Sequence, residues 1–247
     1  MESDRRKKAA GGEARDEAVE ESGPRPLRIF AFADWHGGWD WSGAPEEAKW
    51  RLFERIEEAA PDVVISVGDH TVWSRVPPEF YERMAEAATR GARLMHVFGN
   101  HESGGPRLDY AHLLPQSADL THTVVRLGEA IYYGYDVESW SLSDELARCG
   151  DPWLPGRRLI GKVVEAIRLV KPKFRIMACH EPPEGYISKA RHSCRIGDPV
   201  VRKILDETVP TLCLAGHLHE PEGRTHTLEM GRTLVVNPGP YGTLVEL

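Results

Sequence analysis

An α/β domain built around a parallel sheet is what this sequence predicts, on three observations. Short apolar, β-branched runs alternate with amphipathic helical stretches from residue 27 onward, the pattern of successive βαβ units. The runs are near-continuously apolar rather than alternating, as expected of parallel strands covered on both faces. With 247 residues, 41% hydrophobic and 28% charged, the chain is long enough for one full-sized core.

The elements follow in order. LRIFAFA (27–33) predicts a first strand. PEEAKWRLFERIEEAA (45–60) predicts a helix, with Trp50, Phe53 and Ile56 at helical spacing and Pro45 in its first turn. DVVISVG (62–68) is a β-branched strand, PPEFYERMAEAATR (77–90) a second helix ended by Gly91, and ARLMHVFG (92–99) a third strand. The later half is mixed. THTVVRL (121–127) and AIYYGYDV (130–137) predict antiparallel partners turning at Gly128-Glu129, followed by a helix over LIGKVVEAIRLVK (159–171). FRIMACH (174–180) and TLCLAGH (211–217) predict strands around a helix at 198–208, with Asp198 as N-cap and Pro199 at N1. THTLEM and RTLVVN predict a closing hairpin through Gly231.

Composition narrows the function. Residues 1–25 include RRKK and alternating charge blocks without the apolar core of a signal peptide, so a disordered charged tail is expected before a domain at 26–247. No apolar stretch approaches the roughly 18 residues of a membrane span. A net charge of -7 argues against sequence-independent binding of duplex nucleic acid, which needs basic surface. Cys149, Cys179, Cys194 and Cys213 form no C-x-x-C pair, and Cys179 and Cys213 sit in apolar runs; reduced thiols in a cytoplasmic protein are expected.

The chemistry lies where the strands end. Asp34-x-His36 follows the first strand, Gly68-Asp69 the second, Gly99-Asn100-His101-Glu102 the third, His180 a later one and Gly216-His217-Leu218-His219 another. Ligands of open α/β sheets bind beyond the carboxyl ends of strands, so the five clusters can meet at one site. Asp34, His36, Asp69, Asn100, His180, His217 and His219 offer carboxylate, amide and imidazole donors, which suit manganese, iron, nickel, zinc or magnesium rather than a thiolate site. Seven donors exceed what one catalytic ion with an open position takes. They suit two ions sharing a ligand. If the chain stays extended at each motif, Asp34 and His36 share one side while Trp35 turns away, and His217 and His219 share another. A lone Asp-x-His, Gly-Asp or His180 is ordinarily a polar strand end. Gly-Asn-His-Glu and Gly-His-x-His are far more specific, because several polar groups crowd into apolar surroundings.

This ordered set, D-x-H, G-D, G-N-H-[DE], a lone His and G-H-x-H, resembles the signature of the calcineurin-like metallophosphoesterases over about residues 27–240, including VNPG at 236–239. The resemblance implies a four-layer α/β/β/α sandwich with a dinuclear metal site at the strand C-terminal ends. It implies one ion on Asp34, His36, Asp69 and His219 and the other on Asp69, Asn100, His180 and His217, with manganese first among the candidate metals. His101 stays off the ions and assists the leaving group, and Asn100 and His101 meet the scissile phosphate. Two such ions would bind phosphoryl oxygens and acidify a water for attack on phosphorus, the resemblance implies. Glu102 is a candidate partner orienting His101 or a ligand imidazole; His70 either supports the site or fills the loop. The segment from His180 through the 198–208 helix resembles the small phosphodiesterase-like branch, so a small-molecule or nucleotide phosphodiester is the expected substrate. The alternatives are a phosphomonoesterase or protein phosphatase, a nuclease, and a non-catalytic scaffold. Arg107, His112, Lys189, Arg191, His192 and Arg195 are the loop cations and histidines that could meet substrate. Oligomeric state is not legible.

Overall fold

The computed structural model describes residues 25–36, 46–70, 77–102, 112–136, 151, 153–187, 195–219 and 225–247. Residues 1–24 of the expected tail, Gly37 and Gly38, Cys149 and Cys194, and the candidate substrate residues Arg107, Lys189, Arg191 and His192 lie outside them, as does the side chain of Arg195.

The strands assemble into two sheets. In the first, β1 (Arg28–Phe32), β2 (Val63–Val67), β3 (Arg93–Val97) and β4 (Ala118–Asp119) run parallel, with β13 (Thr243–Glu246) antiparallel to β1 at the edge. The second has the order β11 (His226–Met230), β12 (Thr233–Asn237), β10 (Leu212–Ala215), β7 (Phe174–Cys179), β6 (Ala130–Tyr135), β5 (Val124–Leu127). Its four inner strands are parallel and its two edge strands antiparallel. A two-stranded ribbon, β8 (Tyr186–Ile187) and β9 (Arg195–Ile196), follows β7.

Side-chain alternation divides the apolar residues into three buried layers. Phe30 and Phe32 of β1 pack with Val64 and Leu94 against α1 (Glu46–Ala59) and α2 (Pro78–Thr89). The opposite faces, Ile29, Ala31, Val63, Ile65 and Val97, meet Tyr132, Ile176, Ala178, Leu212 and Leu214 of the second sheet. The outer face of that sheet, with Tyr133, Met177, Cys179 and Cys213, packs on α3 (Leu154–Val170) and α4 (Pro199–Thr208) through Leu159, Val163, Val201 and Ile204. The result is a four-layer α/β/β/α sandwich. Helices therefore cover only one face of each sheet, and the other face is covered by its fellow sheet. A strand buried by a helix and one buried by a sheet read alike in sequence.

The other departures are local. Helix α3 begins at Leu154, five residues before the expected start at 159, because Pro155 occupies the first turn and Gly156 lies where helix α4 crosses. A Cβ on Gly156 would stand 2.4 Å from Val200 Cγ1, so glycine here lets two helices approach rather than marking a loop. The Asp198 cap is as expected: its side chain accepts the Val201 N–H at 2.8 Å, with Pro199 in the first turn. Cys179 and Cys213 are buried free thiols with their sulfurs 3.8 Å apart. Among the described residues no helix is long and apolar enough to cross a membrane.

Candidate metal centre

All five polar clusters leave the carboxyl ends of strands, and they come from both sheets. The first sheet supplies Asp34 and His36 after β1, Asp69 after β2, and Asn100 and His101 after β3. The second supplies His180 after β7 and His217 and His219 after β10. Backbone bonds lock neighbouring strand ends together: Asp34 N–H to Gly68 O at 3.1 Å, His36 N–H to Asp69 O at 2.8 Å, and Gly216 N–H to His180 O at 2.9 Å. Two further bonds cross between the sheets. The His217 N–H donates to Asp34 Oδ1 at 3.0 Å, and His180 Nδ1–H donates to the Val67 carbonyl at 2.9 Å.

Convergence does not arise from extended chain. Strand β1 stops at Phe32, and Asp34 (φ 58°), His36 (φ 51°), Asp69 (φ 54°) and His217 (φ 66°) all take left-handed backbone. That conformation is uncommon for non-glycine residues and concentrates at functional sites. Asp34 and His36 are thus brought together by two sharp turns, not by strand alternation. Trp35 does turn away, fully buried against Trp50, Phe53 and Phe80.

The donor atoms form one cluster. His36 Nε2 lies 2.9 Å from His219 Nε2, and His219 Nε2 lies 3.6 Å from Asp34 Oδ1. On the other side, Asn100 Oδ1 is 3.1 Å from His180 Nε2 and 3.0 Å from His217 Nδ1. Asp69 stands between them, its Oδ2 at 3.2 Å from His180 Nε2, 3.7 Å from His101 Nε2 and 3.9 Å from His36 Nε2. Three overlapping triplets have all donor atoms within 4.8 Å of one another: Asp34, His36, His219; His36, Asp69, His101; and Asp34, Asp69, His180. Asp34 Oδ2 is buried without a hydrogen-bond partner among the described residues, a costly state for a carboxylate oxygen unless a cation completes it. Hard carboxylate and amide oxygens mixed with imidazoles fit divalent ions. His101 stands as near Asp69 as the candidate ligands do, so distance alone does not set it apart from them.

Electrostatics divides the imidazoles. Burial draws His36 down to about 4 despite the nearby Asp34 and Asp69 charges, so it is neutral at pH 7. Burial also opposes protonation of His180, but the charge and hydrogen bond of Asp69, then the charge of Asp34, outweigh it and push His180 up to about 10. Burial, then the charge of His180, lowers His217. Burial works against an ionised Asp34, but its bond to His219 and the surrounding imidazoles prevail and lower it. A ligand imidazole must be neutral. Metal uptake between pH 7 and 8 is therefore expected to expel at least one proton per chain, that of His180, while His36 and Asp34 release none. The apparent affinity then rises with pH until His180 is neutral, near pH 10. Calorimetry in buffers of differing ionisation enthalpy measures the count; zero protons would contradict it.

Two supporting roles went unread in the sequence, although Asn237 belongs to the VNPG motif singled out there. Glu181 Oε1 lies 3.2 Å from His217 Nε2, so the ring can donate there and turn Nδ1 toward Asn100, the carboxylate–histidine arrangement that orients metal ligands. Asn237 of VNPG donates to Leu218 O at 2.6 Å and accepts the Gly239 N–H at 3.0 Å, while Gly239 O accepts the Ala33 N–H at 3.0 Å. That motif ties the His217–His219 loop to the end of β1. Glu102 accepts the backbone N–H groups of Asp69 and Gly99. His112 is exposed.

Comparison with known proteins bears on the same residues. The calcineurin-like phosphoesterase family pattern matches residues 27–221, a span that contains every candidate donor. The chain belongs to this family. As a calcineurin-like phosphoesterase it is a metal-dependent hydrolase of phosphate esters, and its clustered His and Asp side chains are grouped as divalent ions could be held. Solved structures share the fold at low identity. TT1561 of Thermus thermophilus aligns at TM-score 0.58 and 14% identity, covering 87% of this chain and 90% of that one. A dimetal phosphatase from Danio rerio aligns at TM-score 0.62 and 11% identity, covering 91% and 93%. None of the curated proteins matches the phosphoesterase by sequence.

Proposed function

We propose that this phosphoesterase hydrolyses small-molecule or nucleotide phosphodiesters at two divalent ions, manganese first among the candidates. One ion is held by Asp34, His36, Asp69 and His219, and the other by Asp69, Asn100, His180 and His217. The observation that carries this reading is the position of Asp69, whose Oδ2 lies 3.9 Å from His36 and 3.2 Å from His180, so one carboxylate serves both halves of the cluster. When bound, such ions neutralise phosphoryl charge and bring the pKa of a water toward neutrality. His101, its side chain 13% exposed and its Nε2 3.7 Å from Asp69, gives a proton to the departing oxygen. Asn100 turns its carbonyl oxygen to His180 and His217, which leaves its amide N–H groups to donate to a phosphoryl oxygen. The compact domain and the acidic balance of the chain favour a small substrate over a polynucleotide. Buried free thiols at Cys179 and Cys213 support a cytoplasmic setting.

A second reading, phosphomonoester hydrolysis, draws support from the Danio rerio neighbour described as a dimetal phosphatase. One assay separates the two. Metal-stripped protein reconstituted with Mn, Ni, Mg or Zn is offered a generic phosphodiester and a generic phosphomonoester. Faster turnover of the diester is expected, with His101→Ala slower by about 10²- to 10⁴-fold, the scale of general-acid assistance. Turnover of the monoester alone would replace the first reading with the second. No hydrolysis of either ester with any metal would end both.

A further inference from the structure

Behind the cluster lie three buried polar side chains with no part in the chemistry above. Ser66 and His70 are inaccessible to solvent and Glu102 is 3% exposed. Burying an ionisable group is costly unless hydrogen bonds compensate it, and Glu102 accepts two from the backbone. Glu102 Oε2 accepts the Asp69 N–H at 2.8 Å and the Gly99 N–H at 2.9 Å, and His70 Nδ1 packs 3.4 Å from the same oxygen, a close contact outside hydrogen-bond geometry. The other ring nitrogen of His70 is bonded to Ser66 Oγ on β2. Phe32, Phe80 and Phe98 hold the His70 ring edge-on at 6.3, 5.9 and 6.4 Å.

The two backbone groups that Glu102 joins are consequential ones. Asp69 is in left-handed backbone and contributes the carboxylate at the centre of the cluster. Gly99 immediately precedes Asn100 and packs so closely on Asp69 that an added Cβ would meet Asp69 Oδ1 at 2.1 Å. One carboxylate oxygen therefore ties the end of β2 to the end of β3, and these two strand ends present Asp69 Oδ2 and Asn100 Oδ1 to His180 Nε2 at 3.2 and 3.1 Å.

We propose that Glu102 and His70 are positioning residues of the metal centre: Glu102 sets the spacing between the Asp69 and Asn100 donors, and His70, anchored on Ser66, holds the Glu102 carboxylate in place. The inference rests on the reading in which Asp69 and Asn100 hold ions. It places the effect in metal binding by the folded protein, whereas a merely structural role would lower thermal stability and leave ion affinity unchanged.

Metal-free full-length protein and its Glu102→Gln, Glu102→Ala and His70→Phe variants are titrated with Mn²⁺ and Co²⁺. Ions per chain and Kd come from calorimetry, geometry from the visible spectrum of bound Co²⁺, and folding from thermal melts. Glu102→Ala is expected to weaken at least one ion by about 10- to 100-fold and to change the Co²⁺ spectrum, the usual size of an effect exerted through a ligand's partner. Glu102→Gln keeps an amide oxygen for both N–H groups and is expected to stay within about threefold of the parent. His70→Phe fills the aromatic nest without the links to Ser66 and Glu102, and is expected to fall between them. A folded Glu102→Ala protein with parental affinity for both ions and an unchanged spectrum would overturn the proposal. Should Glu102→Ala fail to fold, a folded His70→Phe protein with parental affinity and spectrum would do the same. A parent chain that binds neither Mn²⁺ nor Co²⁺ would instead refute the two-ion reading itself.

Discussion

Asp69→Asn is expected to lower kcat/KM for the phosphate ester by about 10³-fold or more, with the fold intact. Two ions that share a carboxylate supply several kcal/mol of transition-state stabilisation, and each factor of ten corresponds to about 1.4 kcal/mol. Asparagine preserves the local hydrogen bond, because its carbonyl oxygen can still accept the His101 N–H that Asp69 Oδ1 accepts at 3.0 Å. What it removes is the charge facing His180, His101 and His36. The metal-free variant offers an independent check. Burial alone would lower the His180 pKa, and the Asp69 charge leads the forces that raise it to about 10, so loss of that charge moves the titration downward. Imidazole NMR of the metal-free protein reads this directly, and metal analysis reads the ions per chain. A variant with two tightly held ions and activity within tenfold of the parent would refute the shared-ligand role.

The candidate donors stood out in the sequence because each is a polar group at the edge of an apolar run. Asp34, Asp69, Asn100, His180 and His217 all follow strands of β-branched and aliphatic residues, and the structure places each within a few residues of a strand's carboxyl end. Their grouping into two sheets followed from the family resemblance and not from the local pattern. Ile65 of β2 faces the second sheet and Val64 faces the helices, yet both are buried aliphatics that a local pattern cannot tell apart. Strand β13 was missed for a related reason: its pairing with β1 joins residues over 200 positions apart, such as Ala31 and Thr243, and its own pattern is short. The supporting contacts are equally non-local. Glu181 reaches His217 and Asn237 reaches Leu218, and in the sequence each is a polar residue beside a proline-rich turn. Even the meeting of Asp34 with His36 has a different origin from the extended chain expected, since left-handed backbone at both residues is set by neighbouring strand ends rather than by their own side-chain types.

That dependence on neighbours makes Trp35→Ala the largest stability change expected outside the donors themselves. Trp35 is fully buried, with ring centroids 4.8 Å from Phe80, 5.3 Å from Trp50 and 6.5 Å from Phe53, so its truncation opens a cavity in the layer between the first sheet and helices α1 and α2. Removing a buried tryptophan costs about 3–5 kcal/mol, a large share of the about 5–15 kcal/mol by which domains are stable. The loss is not confined to packing. Trp35 sits between Asp34 and His36, and its anchored ring resists relaxation of two left-handed residues toward ordinary backbone. Ion binding by Asp34, His36 and His219 should therefore weaken along with the fold, and saturating metal should recover less stability in Trp35→Ala than in the parent, since the gain depends on ion concentration relative to Kd. Trp35→Phe retains an aromatic contact with Phe80 and is expected to lose less on both counts. Urea unfolding with and without Mn²⁺ measures the two effects separately. Equal metal-dependent gains in all three proteins would mean that Trp35 only fills space, and that the turn holding Asp34 and His36 is maintained by the backbone bonds to Gly68 and Asp69 alone.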